Sequence, residues 1–202
     1  MKRIFLIFLS LVLALSLAAC AETGTSAETK TSALTVNGEA ASLDADGTLT
    51  ITSGGTYELA GELYGQVWIE AKGEDVTLIL NGVTIESSFF SAIYVKKAES
   101  VTIELAEGSE NYLSDAETYK YDDSENEEPD GTIFSKSDLT FQGAGSLTIV
   151  GNHSYAIRTK DALVIAGGTY DLASADTAVR AGDSVTVSGG TIAIEAGNDG
   201  VR

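Results

Sequence analysis

The chain has 202 residues with one cysteine, one proline and 21 glycines, and its formal net charge is −18 at pH 7. This excess of carboxylates argues against nucleic acid or an anionic membrane surface as a partner, because both are polyanions. A single cysteine excludes an intramolecular disulfide, so packing alone must stabilise the fold.

The N-terminal segment 1–19 has the pattern of a bacterial signal peptide. Two basic residues precede an apolar run that is too short to cross a bilayer as a helix. The run ends in LAAC, which resembles a lipobox, so Cys20 is predicted to be lipidated and to become the first residue of the mature protein. An ordinary secretory signal with an incidental Cys20 is the alternative. We therefore expect an exported protein that touches the membrane only through a lipid anchor at the cell surface.

Three regions follow the signal segment. Residues 20–33 are small and polar, which is typical of a flexible tether. Residues 34–202 are enough for one domain with a substantial core. Within this domain, the segment 107–131 carries ten acidic residues and breaks the pattern of the rest, so it is predicted to be an acidic insert. Two interpretations stay open: a solvated, mobile excursion from one corner, or a calcium-ordered flap over a binding face.

The C-terminal part of the chain repeats itself every 22 residues. The sequence AVR at Ala178 returns as GVR at Gly200, and GGT at Gly167 returns at Gly189. Within each repeat apolar and polar residues alternate, as in VTV at Val185, which predicts short strands. Three short strands in a repeat of fixed length predict an all-β fold, a right-handed single-stranded parallel β-helix with three parallel sheets. An antiparallel sandwich would also alternate, but it does not require a fixed repeat.

The repeat also predicts which residues stack. Three inward columns are expected: Ile133, Ile157, Val179 and Val201; Leu139, Leu163 and Val185; and Phe141, Ile165 and Val187. Earlier segments such as 51–60 follow the same pattern, so six or seven coils and no helix longer than one turn are expected. Arg202 ends the chain in mid-coil, which we interpret as the end of a fragment of a longer β-helix.

The order of the segments resembles a known family. The chain contains, in order, SGGTYELAGELYGQVWIEA, VTLILNGVTI, SAIYVKKAESVTIELAEGSEN, the acidic insert, GTIFSKSDLTFQGAGSLTIVGN and the GGT coils. This order, over residues 34–202, is similar to that of bacterial carbohydrate-binding β-helix proteins, which are exported, mostly non-catalytic and share their fold with pectate lyases. The resemblance implies binding of plant cell-wall polysaccharide, acidic pectin-type chains especially, with calcium bound along the helix.

Oxygen-bearing side chains recur three residues before each inward Ile or Val. They are Asp130, Ser154, Asp176 and Asn198, with Asn152 and Asp199 as neighbours. Carboxylates stacked about 4.8 Å apart repel unless a cation lies between them, and Ca²⁺ takes about six to eight oxygen ligands. One interpretation is a calcium site with ligands from Asp130, Asp176, Asn198, Asp199 and Asn152. The other is that these residues only form turns, which Asp and Asn do readily.

A second set of residues follows each inward position by one residue and is predicted to face outward. The set consists of Phe134, Arg158, Arg180 and Arg202. Stacked guanidinium groups need anions between them, so the arginines are predicted to bind the carboxylates of an acidic glycan. Tyr155 and Lys160 lie beside them and are predicted to contribute. The alternative is that the arginines form salt bridges with Asp161 and Asp183.

Two further side chains are candidates for chemistry. Trp68 lies between two inward residues, so its indole is predicted to face outward, where a flat aromatic ring can stack on a sugar. Cover by the insert or by a loop is the alternative. His153, the only histidine, lies at a corner and is predicted to satisfy a turn rather than to act as a base.

Three functions are compatible with these residues. A binding module needs only a sheet face with aromatic, cationic or calcium sites. A polysaccharide lyase needs a base beside bound calcium, and Arg158 or Arg180 would be the candidate. The arginines recur as a ladder rather than as one irregular cluster, which favours binding of a polymer over cleavage, so no catalytic residue is assigned. A structural surface spacer or adhesin is the third function. The protein is expected to be a monomer.

Overall fold

The structure is a computed structural model that describes residues 30–121 and 128–202. The predicted signal peptide, Cys20 and most of the predicted tether lie outside the described residues. In these two ranges, no helix is long and apolar enough to span a membrane.

The described residues form eighteen strands and no helix. In chain order the strands are β1 (Ala33–Val36), β2 (Glu39–Ala40), β3 (Thr48–Ile51), β4 (Gly55–Tyr64), β5 (Gln66–Glu70), β6 (Asp75–Glu86), β7 (Ile93–Lys97), β8 (Ser100–Leu105), β9 (Glu110–Ser114), β10 (Gly131–Ser135), β11 (Asp138–Gly143), β12 (Ser146–Gly151), β13 (Tyr155–Thr159), β14 (Leu163–Ile165), β15 (Thr169–Ser174), β16 (Val179–Arg180), β17 (Val185–Val187) and β18 (Thr191–Ala196).

These strands build the three walls of a parallel β-helix. Wall C is a sheet of six parallel strands in the order β3, β5, β7, β10, β13, β16. Walls A and B are continuous, because β4 and β6 each bend around a corner and contribute to both. Wall A continues through β8, β11, β14 and β17, and wall B through β9, β12, β15 and β18. The described chain therefore completes six coils, and the predicted fold class is confirmed.

The predicted register is also confirmed. Ile133 lies opposite Ile157 and Ile157 opposite Val179 in wall C, and an isolated bridge joins Val179 to Val201. The two other predicted columns pair as expected in wall A. A slip of one residue would turn every inward side chain outward. The register therefore also determines the outward columns.

The two ends of the helix differ in how the core is covered. At the first coil, β1 pairs antiparallel with β4 and buries Leu34. In the last coil, Val187, Ile194 and Val201 are 55%, 38% and 53% exposed. Val187 therefore has the predicted register, but the prediction that it is buried is wrong. No later coil of the described chain packs against it.

Each coil turns from wall A to wall B at one glycine in the left-handed backbone region. These are Gly61, Gly82, Gly108, Gly143, Gly168 and Gly190, with φ between +70° and +101°. Glycine adopts such angles without the steric penalty that a Cβ imposes. At Gly143 a Cβ would also lie 2.2 Å from the carbonyl oxygen of Leu105 in the coil below. The repeat therefore needs one glycine per coil at this corner.

The acidic insert is shorter than the predicted range 107–131. Residues Glu110–Ser114 form β9, which pairs with β6 and β12 and completes the third coil. Its first inward position is occupied by Asn111, whose Oδ1 accepts hydrogen bonds from the backbone N–H groups of Gly82 and Val83, both at 3.0 Å. A polar residue at an inward position hid this strand from the apolar alternation.

The predicted tether 20–33 is likewise shorter at its C-terminal end. Lys30 forms an ion pair with Glu86, and the hydroxyl of Ser32 accepts a hydrogen bond from the backbone N–H of Tyr64 at 2.9 Å. These residues therefore lie against the end of wall B instead of spanning free solvent.

Candidate functional site

One column of outward side chains runs along wall C from the second coil to the last. This outer column consists of Trp68, Tyr94, Phe134, Arg158, Arg180 and Arg202. The inward neighbours Val67 and Ile69 have no exposed surface, so the indole of Trp68 points away from the core as predicted. The chemistry of the column changes halfway, from three aromatic rings to three guanidinium groups. We call the second half the arginine ladder.

The aromatic half packs against itself. Trp68 meets the ring of Tyr94 edge-on with the centroids 4.7 Å apart, and Tyr94 meets Phe134 at 5.6 Å. Tyr94 is 6% exposed and Phe134 0%, although both point away from the core. Of the three rings, only Trp68 keeps partial exposure, and the ammonium of Lys96 lies 5.3 Å from its centroid. Trp68 is thus the only ring of this column with surface left for a ligand.

Tyr155 organises the first two steps of the arginine ladder. The guanidinium groups of Arg158 and Arg180 lie 4.9 and 5.9 Å from its ring centroid. Nη1 of Arg180 donates a hydrogen bond to the Tyr155 hydroxyl at 3.0 Å. Because Tyr155 is only 8% exposed, it does not offer the free ring face that a sugar contact would need. Its contacts position the arginines instead.

Arg202, the last step of the ladder, is exposed. Its Nη1 lies 4.0 Å from Oδ2 of Asp199, at the edge of ion-pair distance. Both side chains are more than half exposed, at 63% and 51%. Such a contact contributes little to stability, so Arg202 remains available to a ligand.

Asp130 pairs with Arg158 rather than with other members of the predicted acidic column. Its Oδ1 lies 3.0 Å from Nε of Arg158, with the two side chains 20% and 13% exposed. The two atoms are close but not aligned as a hydrogen bond. Burial raises the pKa of Asp130 to about 6, against the opposing attraction of Arg158. Within the described residues, no arginine of the ladder pairs with Asp161 or Asp183, so the predicted alternative pairing is wrong.

Two lysines stand beside the outer column in consecutive coils, and we call them the lysine pair. Lys136 and Lys160 are placed by backbone hydrogen bonds to Val95 and Ser135 of the preceding coils, at 2.9 and 2.8 Å. The carboxylate of Glu128 contacts both ammonium groups, with 3.2 Å to Nζ of Lys136. Burial alone would raise the pKa of Glu128, but the two ammonium groups lower it overall. The sequence did not indicate that Glu128 would be their partner.

The insert is anchored at the corner between walls B and C. The hydroxyl of Tyr119 donates to Asp115 at 2.6 Å, and the backbone N–H of Asn152 donates to the other carboxylate oxygen at 2.6 Å. Burial raises the pKa of Asp115, which these hydrogen bonds oppose. The interpretation of the insert as a solvated, mobile excursion therefore does not fit Asp115 and Tyr119, which are buried, although Glu117 and Lys120 between and beside them are exposed.

Aromatic contacts reinforce the same anchor. The ring of Tyr119 stacks on His153 at 4.1 Å and 13°, and Phe90 packs edge-on against it at 5.4 Å. Nδ1 of His153 lies 3.2 Å from the carbonyl oxygen of Glu117, so this histidine serves the corner as predicted. Sequence reasoning missed Asp115 and Tyr119. The one signal was the three tyrosines, Tyr112, Tyr119 and Tyr121, within a segment otherwise rich in acidic residues.

The predicted calcium column stacks as expected in its backbone. The N–H of Asp176 donates to the carbonyl of Ser154, and the N–H of Asn198 donates to that of Asp176, both at 3.0 Å. Asp199 follows at the same corner. Among residues 30–121 and 128–202, no group of three or more His, Cys, Asp and Glu side chains is close enough to hold a metal ion. A cation here would need amide and carbonyl oxygens as well.

Two of the predicted ligands are engaged elsewhere. The Asp130 carboxylate contacts Arg158, and Asn152 donates its backbone N–H and its side-chain amide to Asp115. Asp130 therefore already has a cationic partner, and Asn152 is tied to the insert through its N–H donors rather than through its Oδ1. Asp176, Asn198 and Asp199 are the predicted ligands that remain at this corner, and Oδ2 of Asp199 lies 4.0 Å from Nη1 of Arg202.

Comparisons with known proteins agree with this architecture. Residues 45–202 match the family described as "Carbohydrate-binding domain-containing protein". A curated protein with that description from Acetivibrio thermocellus is 39% identical over 120 residues, which cover 58% of this chain and 42% of the relative. The chain thus matches less than half of the relative's length. A solved structure, a polysaccharide lyase-like protein from C. thermocellum in its gadolinium derivative, has a TM-score of 0.77 and 34% identity over 86% of this chain and 68% of its own.

Proposed function

The chain belongs to the family of carbohydrate-binding domain-containing proteins, and we propose that it is a non-catalytic binding protein for an extracellular polysaccharide, with acidic, pectin-type chains preferred. The observation that carries the proposal is the arginine ladder, which repeats one guanidinium group per coil on one face of wall C. Successive steps are about 4.8 Å apart. Guanidinium groups pair with carboxylates through two parallel hydrogen bonds. An extended polyuronate carries carboxylates at regular intervals and can meet such a ladder at several points.

The overall charge of the protein works against this ligand. A net charge of −18 repels a polyanion at long range. The ladder must therefore act at short range, where the guanidinium groups contact the carboxylates directly. Calcium bound near the ladder would reduce this repulsion further, so a calcium site and an acidic glycan are proposed together.

Calcium is proposed at the corner formed by Asp176, Asn198 and Asp199, with backbone carbonyls completing the shell. A ligand that binds only the folded state stabilises it by about 2.7 kcal/mol at a hundredfold excess over Kd. Calcium should therefore raise the melting temperature, and Asp176→Ala should reduce that rise. Asp75→Ala, at an exposed carboxylate on wall A, is the matched control. A melting curve that does not move in millimolar calcium would remove the metal from the proposal.

Binding itself is tested by titrating the protein with polygalacturonate and, as control, with a neutral glucan of similar length. Each titration is run with calcium and again with a chelator. We expect binding to polygalacturonate that weakens on chelation and at higher salt. Equal affinity for the neutral glucan would contradict the acidic preference. No binding to either polymer would contradict the proposal as a whole.

A polysaccharide lyase is the second candidate, because the solved relative is named lyase-like. A lyase needs an unprotonated base at the reacting carbon. Arg158 lies against Asp130, and Arg180 donates a hydrogen bond to the Tyr155 hydroxyl, so neither guanidinium group is placed as an unengaged base. We expect no ultraviolet-absorbing unsaturated product from polygalacturonate, with or without calcium. Product that forms with the wild-type protein and disappears in Arg180→Ala would establish the lyase instead.

We also propose that Cys20 carries a lipid anchor and holds the domain at the cell surface. The LAAC sequence supports this proposal. Cys20→Ser should release the domain into the medium or leave the signal segment uncleaved. Unchanged retention at the cell envelope together with unchanged processing would contradict it.

A further inference from the structure

The path of the insert next to wall C is unusual. Glu128 lies only two residues before Asp130, at the entry to β10, yet its carboxylate reaches Lys136, which follows the end of β10. The chain must therefore double back across the outer surface of wall C. Phe134 lies between these two points on the outward side of β10 and has no exposed surface.

The lysine pair would be unfavourable without an anion. Lys136 and Lys160 hold the same position in consecutive coils, about 4.8 Å apart along the helix axis. Two ammonium groups at that separation repel unless a negative charge lies between them. Glu128 supplies this charge, while the side chains of Lys136 and Lys160 keep 35% and 37% of their surface exposed. The pair is thus within reach of a ligand from solvent.

A second carboxylate of the same segment repeats the arrangement. Asp130 lies against Arg158 of the arginine ladder while Glu128 lies against the lysine pair. Two residues of extended chain span at most about 7 Å. The segment Glu128–Asp130 therefore presents two carboxylates in close succession to two cationic sites on one face, as a short acidic glycan would.

We propose that Lys136 and Lys160 form a carboxylate subsite of the glycan-binding face, that Glu128 fills this subsite in the free protein, and that a uronate carboxylate displaces Glu128 on binding. This inference rests on the proposed function, since it assumes an acidic glycan on wall C. Competition by an internal carboxylate lowers the apparent affinity by the fraction of molecules in which the subsite is open. Removing the charge of Glu128 should therefore strengthen binding.

The test is a calorimetric titration with tetragalacturonate at fixed ionic strength and fixed calcium. Glu128→Gln keeps the shape of the side chain and removes its charge. Glu110→Gln is the matched control, because it removes one charge from an exposed glutamate on wall B. We expect Glu128→Gln to bind about threefold to tenfold more tightly than the wild type, and Glu110→Gln to differ by less than about twofold.

A double variant identifies the subsite. If Glu128 competes at the lysine pair, Lys160→Gln alone weakens binding, and adding Glu128→Gln to it gives no further gain. A gain of the same size in the Lys160→Gln background would overturn the assignment of the subsite. Melting temperatures of all variants verify that each is folded.

The remaining outcomes separate the inference from the proposed function. If the wild type binds tetragalacturonate but Glu128→Gln binds no more tightly than Glu110→Gln, the inference is wrong and the proposed function stands. If neither the wild type nor Glu128→Gln binds, both are wrong. Binding of tetragalacturonate by Glu128→Gln alone would support the inference, and the titration of the wild type with polygalacturonate would then decide the proposed function.

Discussion

The two halves of the outer column hold the same position in successive coils, yet they meet solvent differently. In the aromatic half, Phe134 has no exposed surface and Tyr94 is 6% exposed. In the arginine ladder, side-chain exposure rises from 13% at Arg158 to 63% at Arg202. One backbone geometry therefore supports two different surfaces.

The difference follows from what each side chain needs. Aromatic rings satisfy one another, because edge-to-face packing requires no outside partner. Guanidinium groups on neighbouring strands repel, so each needs an anion or an aromatic ring. Tyr155 and Asp130 supply these partners for the first steps of the ladder, and Arg202 has only a distant contact with Asp199. The aromatic half is thus a second, outer core, and the ladder depends on anions from the insert or from a ligand.

The sharpest difference should appear in stability. Phe134→Ala removes a fully buried ring and should lower the free energy of unfolding by about 3 to 4 kcal/mol, measured by urea denaturation. Phe89→Ala, at a partly exposed ring of a loop, should cost less than half of this amount. A loss below about 1 kcal/mol at Phe134 would show that the aromatic half is not an outer core.

The next effect concerns Asp130 at the start of the ladder. Its pKa is raised from 3.8 to about 6, so the folded state holds this proton more tightly than the unfolded chain does. Its contribution to stability is therefore fully present below about pH 4 and is lost as the pH rises through about 6. The contribution is roughly 1 to 3 kcal/mol.

Asp130→Asn isolates this contribution. The difference in free energy of unfolding between the wild type and the variant should fall between about pH 4 and pH 6 and stay level above about pH 7. Chemical denaturation across this range measures it. Parallel stability curves for the two proteins would mean that burial does not shift the proton affinity of Asp130 as stated.

A binding effect distinguishes the ladder from the aromatic half. Arg180→Ala should weaken binding to polygalacturonate about tenfold, because charged hydrogen bonds contribute about 1.5 to 3 kcal/mol. It should lower the free energy of unfolding less than Phe134→Ala does, because inside the protein it loses only its contacts with Tyr155. Lys72→Ala, which removes an exposed charge at a corner, is the control for net charge. The difference between the two variants should shrink at higher salt. Equal affinities at low salt would mean that the ladder does not contact the glycan.

The smallest effect is expected at Trp68, the exposed end of the aromatic half. Trp68→Ala should weaken polysaccharide binding about twofold to fivefold if the indole stacks on a sugar, since aromatic contacts are worth about 0.5 to 1.5 kcal/mol. Quenching of its fluorescence on titration is an independent measure, because Trp68 is the only tryptophan of the chain. Unchanged affinity and unchanged fluorescence would confine the glycan to the ladder.

The insert shows where sequence reasoning failed and why. Strand β9 lies in the range predicted as insert because its first inward residue is Asn111, which forms hydrogen bonds instead of apolar contacts. Equal spacing made a pairing of Arg158 with Asp161 the alternative to glycan binding, but Asp130 of the insert takes that place. Asp161 instead lies near Asp138 and Asp183. Burial raises the pKa of Asp161, and the negative charges of these two neighbours raise it further. The 22-residue spacing predicts which residues of the repeat meet one another. It predicts no contact for the insert, which does not repeat.

The sequence by itself determined the coil, because a repeat of 22 residues with alternating apolar positions and one corner glycine leaves one register in which the three apolar columns face the core. From that register the outward position of Trp68 and the stacking of the arginines follow directly. Only the tertiary structure decided which carboxylate meets which cation. Ion pairs at the surface depend on the path of the insert, and the insert is held by Asp115, Tyr119 and His153 through contacts between residues distant in the chain. The repeat therefore predicts the scaffold, and the non-repeating segment determines how its cationic face is occupied.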